Sequence, residues 1–268
     1  MTASDKLKKK NNAGKFICVG LDPDIKKIPV HLKKVQDPVF EFNKRIINET
    51  YENAAAFKLN FAFYESEGYR GMEILQKTIE CIPKDILIIA DAKRGDIGNT
   101  SRMYAKSVYE FYNCDAITIN PYMGEDSVLP FLEYTQKLNF ILTLTSNPGS
   151  SDFEKTKLAD GSLLYQKVIK KIIQWNKNKN CAIVFGATNT EELEKSIGLF
   201  GELPVLLPGV GAQGGNLSEV FGVFKNNNRL NLLVNVSRAI IYKSNEKDFA
   251  EKANSELVRM NNLIKSLY

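Results

Sequence analysis

Residues 86–101 read ILIIADAKRGDIGNTS. Five apolar side chains, residues 86–90, run straight into Asp91-Ala92-Lys93-Arg94-Gly95-Asp96. An apolar run this short that ends in charge reads as a buried strand delivering side chains to a site. Side chains alternate along a strand, so Asp91 and Lys93 are expected on one face, a carboxylate beside an ammonium. Asp96 follows in the loop, where Gly95 and Gly98 let the backbone turn. A DxKxxD triplet on an ordinary surface is a solvated ion pair of little consequence. At the end of a buried strand, with matching polar groups on other strand ends, it points to proton chemistry.

Those matching groups are present upstream. Residues 16–21 (FICVGL) form a first strand candidate, and Pro23 stops it, leaving Asp22 at its C-terminal end. A helical pattern covers residues 39–53, and residues 54–61 (AAAFKLNF) read as a second strand with Lys58 and Asn60 on one face. A lysine inside an apolar strand is costly unless paired, and Asn60 beside it favours a site over a snorkelling surface side chain. Helices are expected over residues 66–81 and 97–112, flanking the organising strand. Further strands are expected at 115–120, 140–145, 182–186, 204–207 and 230–236, with helices at 162–176, from Thr190 onward, and at 247–267. Eight strands separated by helices imply parallel pairing. The reading is therefore α/β, a single (β/α)8 TIM barrel in one domain over residues 1–268. Active sites of such barrels lie at the C-terminal strand ends, where Asp22, Lys58, Asp91 and Lys93 fall.

The length of 268 residues and the 44% hydrophobic content suit one large core, and no second domain is recognisable. The net charge of +5 comes partly from Lys6-Leu7-Lys8-Lys9-Lys10. That run reads as a solvated or frayed terminus rather than a nucleic-acid arm, because no aromatic residue is interleaved with it. A mild positive balance also suits an anionic substrate. Cys18, Cys81, Cys114 and Cys181 are scattered without a CxxC pair, as buried thiols of a reducing compartment would be. His31 stands alone, so no metal site is expected on it. With no apolar leader and no long apolar span, a cytoplasmic protein with no membrane or nucleic-acid partner is expected.

A phosphate site is expected at the loops after strands seven and eight. The seventh strand opens into residues 208–215 (PGVGAQGG), and the eighth into Ser237-Arg238-Ala239. Glycines let backbone N–H groups approach an anion, and arginine offers a charged fork to phosphate oxygens. A glycine-rich loop alone is more often a tight turn; Arg238 in the adjacent loop makes it a ligand site.

Together these motifs resemble the orotidine 5'-phosphate decarboxylase family, which makes uridine monophosphate in pyrimidine synthesis. The likeness runs through VGLDPD, FKLNFAFYE, DAKRGDIGNT, NPYMG, LTSNPGS, LPGVGAQGG and VSRAI, nearly the whole chain, and is nearer the longer DxKRxD subgroup than the short microbial form. The resemblance implies a charge network of Lys58, Asp91, Lys93 and Asp96, with Asp22 and Lys58 near the ribose hydroxyls. It implies a homodimer in which Asp96, Ile97 and Thr100 reach the neighbouring site. Ser146 would read the pyrimidine, and Gln213 with Gly211 would lie toward base and phosphate. Arg238 would hold the phosphate, and Asn60 and Pro148 would line the pocket. The ligands implied are orotidine 5'-monophosphate and uridine 5'-monophosphate, with no cofactor and no metal.

The chemistry suits such residues. Loss of carbon dioxide from C6 of the pyrimidine leaves a carbanion with no adjacent carbonyl to take its charge, and a fixed ammonium is the simplest stabiliser and proton donor. Lys93 fits that role. A carboxylate at Asp91 crowding the substrate carboxylate at ~4 Å would add repulsion on the order of 4 kcal/mol at an effective dielectric of about 20. Two alternatives stay open on sequence. Magnesium-dependent enzymes acting on ketosugar phosphates share DxKxxD but carry an acidic metal ligand where this chain has Lys58, which repels a divalent cation. An inactive nucleotide-binding protein would keep Arg238 but need not keep Lys58, Asp91, Lys93 and Asp96 together.

Overall fold

The computed structural model describes residues 1–188, 190–210 and 216–267. In chain order the first half holds α1 (Ala3–Asn12), β1 (Ile17–Gly20), α2 (Pro38–Thr50), β2 (Ala56–Asn60), α3 (Phe61–Glu65), α4 (Gly68–Cys81), β3 (Leu87–Arg94), α5 (Gly98–Lys106), β4 (Ala116–Ile119) and α6 (Glu125–Leu132). The second half holds β5 (Leu138–Leu144), α7 (Leu164–Trp175), β6 (Cys181–Phe185), α8 (Thr190–Ser196), β7 (Val205–Leu207), α9 (Leu217–Asn226), β8 (Leu232–Val236), α10 (Arg238–Ile241) and α11 (Phe249–Lys265).

Among the described residues the eight strands close into one parallel barrel in sequence order, with β8 paired back onto β1. Helical crossovers cover the outside, so the strands are buried on both faces and read as apolar runs rather than alternations. Cys18, Ala56, Ile89, Phe140, Leu206 and Leu233 fill the barrel interior. Val19, Phe57, Ile88, Ile117, Phe185 and Val234 face outward into the larger core beneath the helices. Register sets the height of the site: Gly20 lies opposite Lys58, and Asn60 opposite Asp91, which levels the C-terminal ends of β1, β2 and β3. No helix among the described residues is long and apolar enough to cross a membrane.

The barrel and its eight strands match the sequence reading; two local features do not. The lysine-rich start is not a frayed terminus but α1, begun by a capping box in which Asp5 N donates to Thr2 Oγ1 and Thr2 N to Asp5 Oδ2. The helical period puts Ala3, Lys6, Leu7 and Lys10 on the buried side. Ala3 and Leu7 plug the N-terminal mouth of the barrel, and Lys6 Nζ bonds both Asp115 oxygens at 2.8 Å and the Ile86 carbonyl at 3.3 Å. Second, α6 and α9 appear between strands where no helix was read from sequence. As read from sequence, β3 carries its charged residues, running on to Arg94.

Candidate active site

The charged residues of the first three strand ends form one connected row. Lys58 is only 4% exposed. Its Nζ donates to Asp91 Oδ2 at 2.8 Å and lies 3.8 Å from Asp22 Oδ1. Lys93 Nζ donates to the other oxygen of Asp91, Oδ1, at 2.6 Å. The order is thus Asp22, Lys58, Asp91, Lys93, with alternating sign. Burial disfavours an ionised Asp91, yet the Lys58 and Lys93 ammoniums outweigh it and hold the carboxyl well below the usual carboxylate range. Burial likewise works against the Lys58 ammonium, and the Asp22 and Asp91 carboxylates overcome it, lifting its pKa above that of an ordinary lysine. Beneath the row, burial pushes the Cys18 thiol up to about 12, so it stays neutral.

Local structure holds each member. Asp22 Oδ1 accepts from Asn60 N at 3.2 Å, and the peptide before Asp22 is braced by Tyr64, whose hydroxyl donates to the Leu21 carbonyl at 2.9 Å. Asn43 in turn donates to that hydroxyl at 3.0 Å. Asp91 Oδ1 also accepts from Thr118 Oγ1 at 3.0 Å. Sequence alternation placed Asp91 and Lys93 on one face, and they do meet. The route is different: the register of β3 against β4 shifts between Ala90 and Arg94, and Lys93 takes φ 47°.

The row opens into a cavity of about 520 Å³ at the C-terminal end of the barrel, lined by Asp22, Lys93, Ser146, Val184, Asn235 and Arg238 among others. Arg238 begins α10, and its guanidinium is exposed with no hydrogen-bond partner among the described residues. The loop carrying Ser146 is pinned by Glu154, which accepts from Thr145 N at 2.7 Å. It also packs on Gly186, where a Cβ would come within 2.8 Å of Ser146 N, so only glycine fits. The Asn235 side-chain oxygen is buried and has no hydrogen-bond partner among the described residues, an acceptor held ready at the cavity wall.

Several expected residues stand apart from this cluster. Asp96 accepts from its neighbour Ile97 N at 2.8 Å and joins no ion pair among the described residues; Ile97 and Thr100 are exposed. Asn60 spends its side-chain oxygen capping α3, accepting from Ala62 N at 3.2 Å. Pro148 is exposed, and Asn147 before it lines the cavity. Gln213 and Gly211 lie outside the described residues. Thr118, Asn235 and Glu154 were missed from sequence. For the first two a signal existed, a polar side chain on the inward face of an apolar strand; for Glu154 none did, since it sits in a long irregular loop.

The family described as orotidine 5'-phosphate decarboxylase / HUMPS matches residues 15–253. Orotidine 5'-phosphate decarboxylases of Flavobacterium johnsoniae and Porphyromonas gingivalis are 48% and 49% identical to this chain, over 91% of it and 90% of each relative. Among solved structures, the OMP decarboxylase of Leishmania donovani superposes with a TM-score of 0.82 at 34% identity, covering 98% of this chain and 100% of that one. Fold and relatives define a (β/α)8-barrel carboxy-lyase. More narrowly, the chain belongs to the orotidine 5'-phosphate decarboxylase / HUMPS family.

Proposed function

We propose that the enzyme converts orotidine 5'-monophosphate to uridine 5'-monophosphate and carbon dioxide in pyrimidine biosynthesis, with Lys93 as proton donor. The observation that carries this is the Asp22–Lys58–Asp91–Lys93 row and the unpaired Arg238 guanidinium opening on the same cavity. Arg238 takes the phosphate, Asp22 and Lys58 take the ribose hydroxyls, and Ser146 takes the pyrimidine edge. The bond from C6 to the carboxylate breaks, and its electron pair stays on C6. Lys93 Nζ then gives one proton to C6 and is reprotonated from solvent. Asp91, buried and ionised between two lysines, repels the substrate carboxylate and holds Lys93 in place.

A second copy of the chain packs against the α5 and α6 side, bringing its Asp96, Ile97 and Thr100 to the neighbouring cavity. Ile97, Met103, Phe111, Tyr122, Met123 and Leu129 are exposed there, an unusual density of apolar side chains for a free surface. Four unpaired cysteines support a place in the reducing cytoplasm.

The test is the absorbance loss as orotidine 5'-monophosphate becomes uridine 5'-monophosphate, with protein in excess EDTA. Rapid turnover is expected. Silence in EDTA, with activity on a ketosugar phosphate once magnesium returns, overturns the proposal. Silence in both assays with tight nucleotide binding also overturns it, in favour of an inactive binding protein.

A further inference from the structure

Strands β3 and β4 fall out of step at the row of charges. Ala90 pairs with Ile117 and Arg94 with Ile119, so four steps along β3 match two along β4. The excess is taken up by Asp91-Ala92-Lys93, and Lys93 enters the left-handed region at φ 47°, uncommon for a residue with a Cβ. Thr118 is the β4 residue between those two pairings, and it is buried. Its hydroxyl supplies what the broken ladder lacks: it accepts from Lys93 N at 2.9 Å and donates to Asp91 Oδ1 at 3.0 Å. That oxygen is the one Lys93 Nζ reaches at 2.6 Å. A single oxygen atom of Thr118 therefore bonds both ends of the bulge.

We propose that Thr118 is a positioning residue for decarboxylation, its hydroxyl fixing the Lys93 backbone and the Asp91 carboxylate so that the ammonium stays aimed into the cavity. The inference rests on the reading of Lys93 as proton donor. Without the hydroxyl, the Lys93 N–H loses its acceptor, Asp91 Oδ1 keeps one donor of two, and the bulge is free to relax toward ordinary backbone angles. A displacement well under a bond length at Nζ suffices to slow proton delivery while leaving phosphate, ribose and base contacts in place. Valine shares the branched shape of threonine, so Thr118→Val removes the two hydrogen bonds with little change of volume; Thr118→Ser keeps the hydroxyl.

The experiment measures kcat for orotidine 5'-monophosphate, Kd for uridine 5'-monophosphate and the thermal midpoint in wild type, Thr118→Val, Thr118→Ser and Lys93→Ala. Thr118→Val is expected to lose about 30-fold in kcat, the scale of a hydrogen bond to a charged group, with Kd within about twofold. Thr118→Ser is expected to return kcat to within about threefold of wild type. Wild-type kcat in Thr118→Val beside an inactive Lys93→Ala overturns the role of Thr118 and leaves the Lys93 reading standing. Turnover retained in Lys93→Ala removes that reading itself. Parallel losses of kcat, nucleotide binding and thermal midpoint in both Thr118 variants mean packing alone, and overturn the positioning role.

Discussion

The two mouths of the barrel each hold a buried lysine paired with an aspartate at the same separation. At the N-terminal mouth Lys6 meets Asp115 at 2.8 Å; at the C-terminal mouth Lys58 meets Asp91 at 2.8 Å. The first pair is closed. Lys6 adds the Ile86 carbonyl, Asp115 adds the Ile88 N–H, and α1 lies across them. The second is a segment of a longer row that continues to Asp22 and Lys93 and ends in a cavity. A buried ion pair is thus no mark of catalysis. What separates the two is whether the charges are used up within the chain.

Lys93→Ala removes the open end of the row and is expected to have the largest effect. Turnover falls on the order of 10³-fold, while uridine 5'-monophosphate still binds, checked by steady-state kinetics beside calorimetry. Near-normal turnover would make the open pair as structural as the closed one. Lys6→Met breaks the closed pair and leaves the half-buried Asp115 without its cation, a loss of about 2 kcal/mol in urea unfolding with kcat unchanged. A drop in kcat without loss of stability would mean the plugged mouth also serves the reaction. Arg238→Ala acts on a charge of the same cavity that lies outside the row. Phosphorylated ligands are expected to bind roughly 10- to 100-fold more weakly, with the unphosphorylated nucleoside unaffected. Equal weakening of both would move the phosphate elsewhere.

The smallest effect is on pH. Asp91, held below the ordinary 3.8, contributes stability that is present above that value and is lost as pH falls through its lowered one. Lys58, lifted above 10.5, contributes stability that is present below that value and is lost as pH rises through its raised one. Between these limits the contribution is flat. The stability gap between wild type and Asp91→Asn, followed by chemical unfolding from about pH 6 to about pH 2, is expected to narrow toward acid. A gap that widens toward acid contradicts the ion-paired description of Asp91.

The features that sequence revealed are those written in consecutive residues. Apolar runs ending in Asp22, in Lys58 and in Asp91 with Lys93 announce strands and their chemistry, and the barrel follows from counting them. What stayed hidden depends on partners far along the chain. Lys6 looked solvated because its carboxylate is 109 residues away. The bulge at Lys93 is a mismatch between two strands, which neither strand displays alone. Thr118 shows in sequence only as a polar side chain on the inward face of an apolar strand; its partners, Lys93 N and Asp91, lie 25 and 27 residues away. Asp96, Ile97 and Thr100 lie outside the row, Asp96 accepting from Ile97 N and the other two exposed.

The plug at the closed mouth bears on the order of assembly. Helix α1 precedes every strand of the barrel, yet its anchors are the Ile86 carbonyl and Asp115 in mid-chain, the Gln136 carbonyl, and the Leu232 carbonyl, 221 residues from Asn11. It has nothing to dock on until the strands around the whole circumference stand side by side, so it precedes them in the chain and is seated after them. Bulk added just ahead of residue 3 would obstruct that closing step.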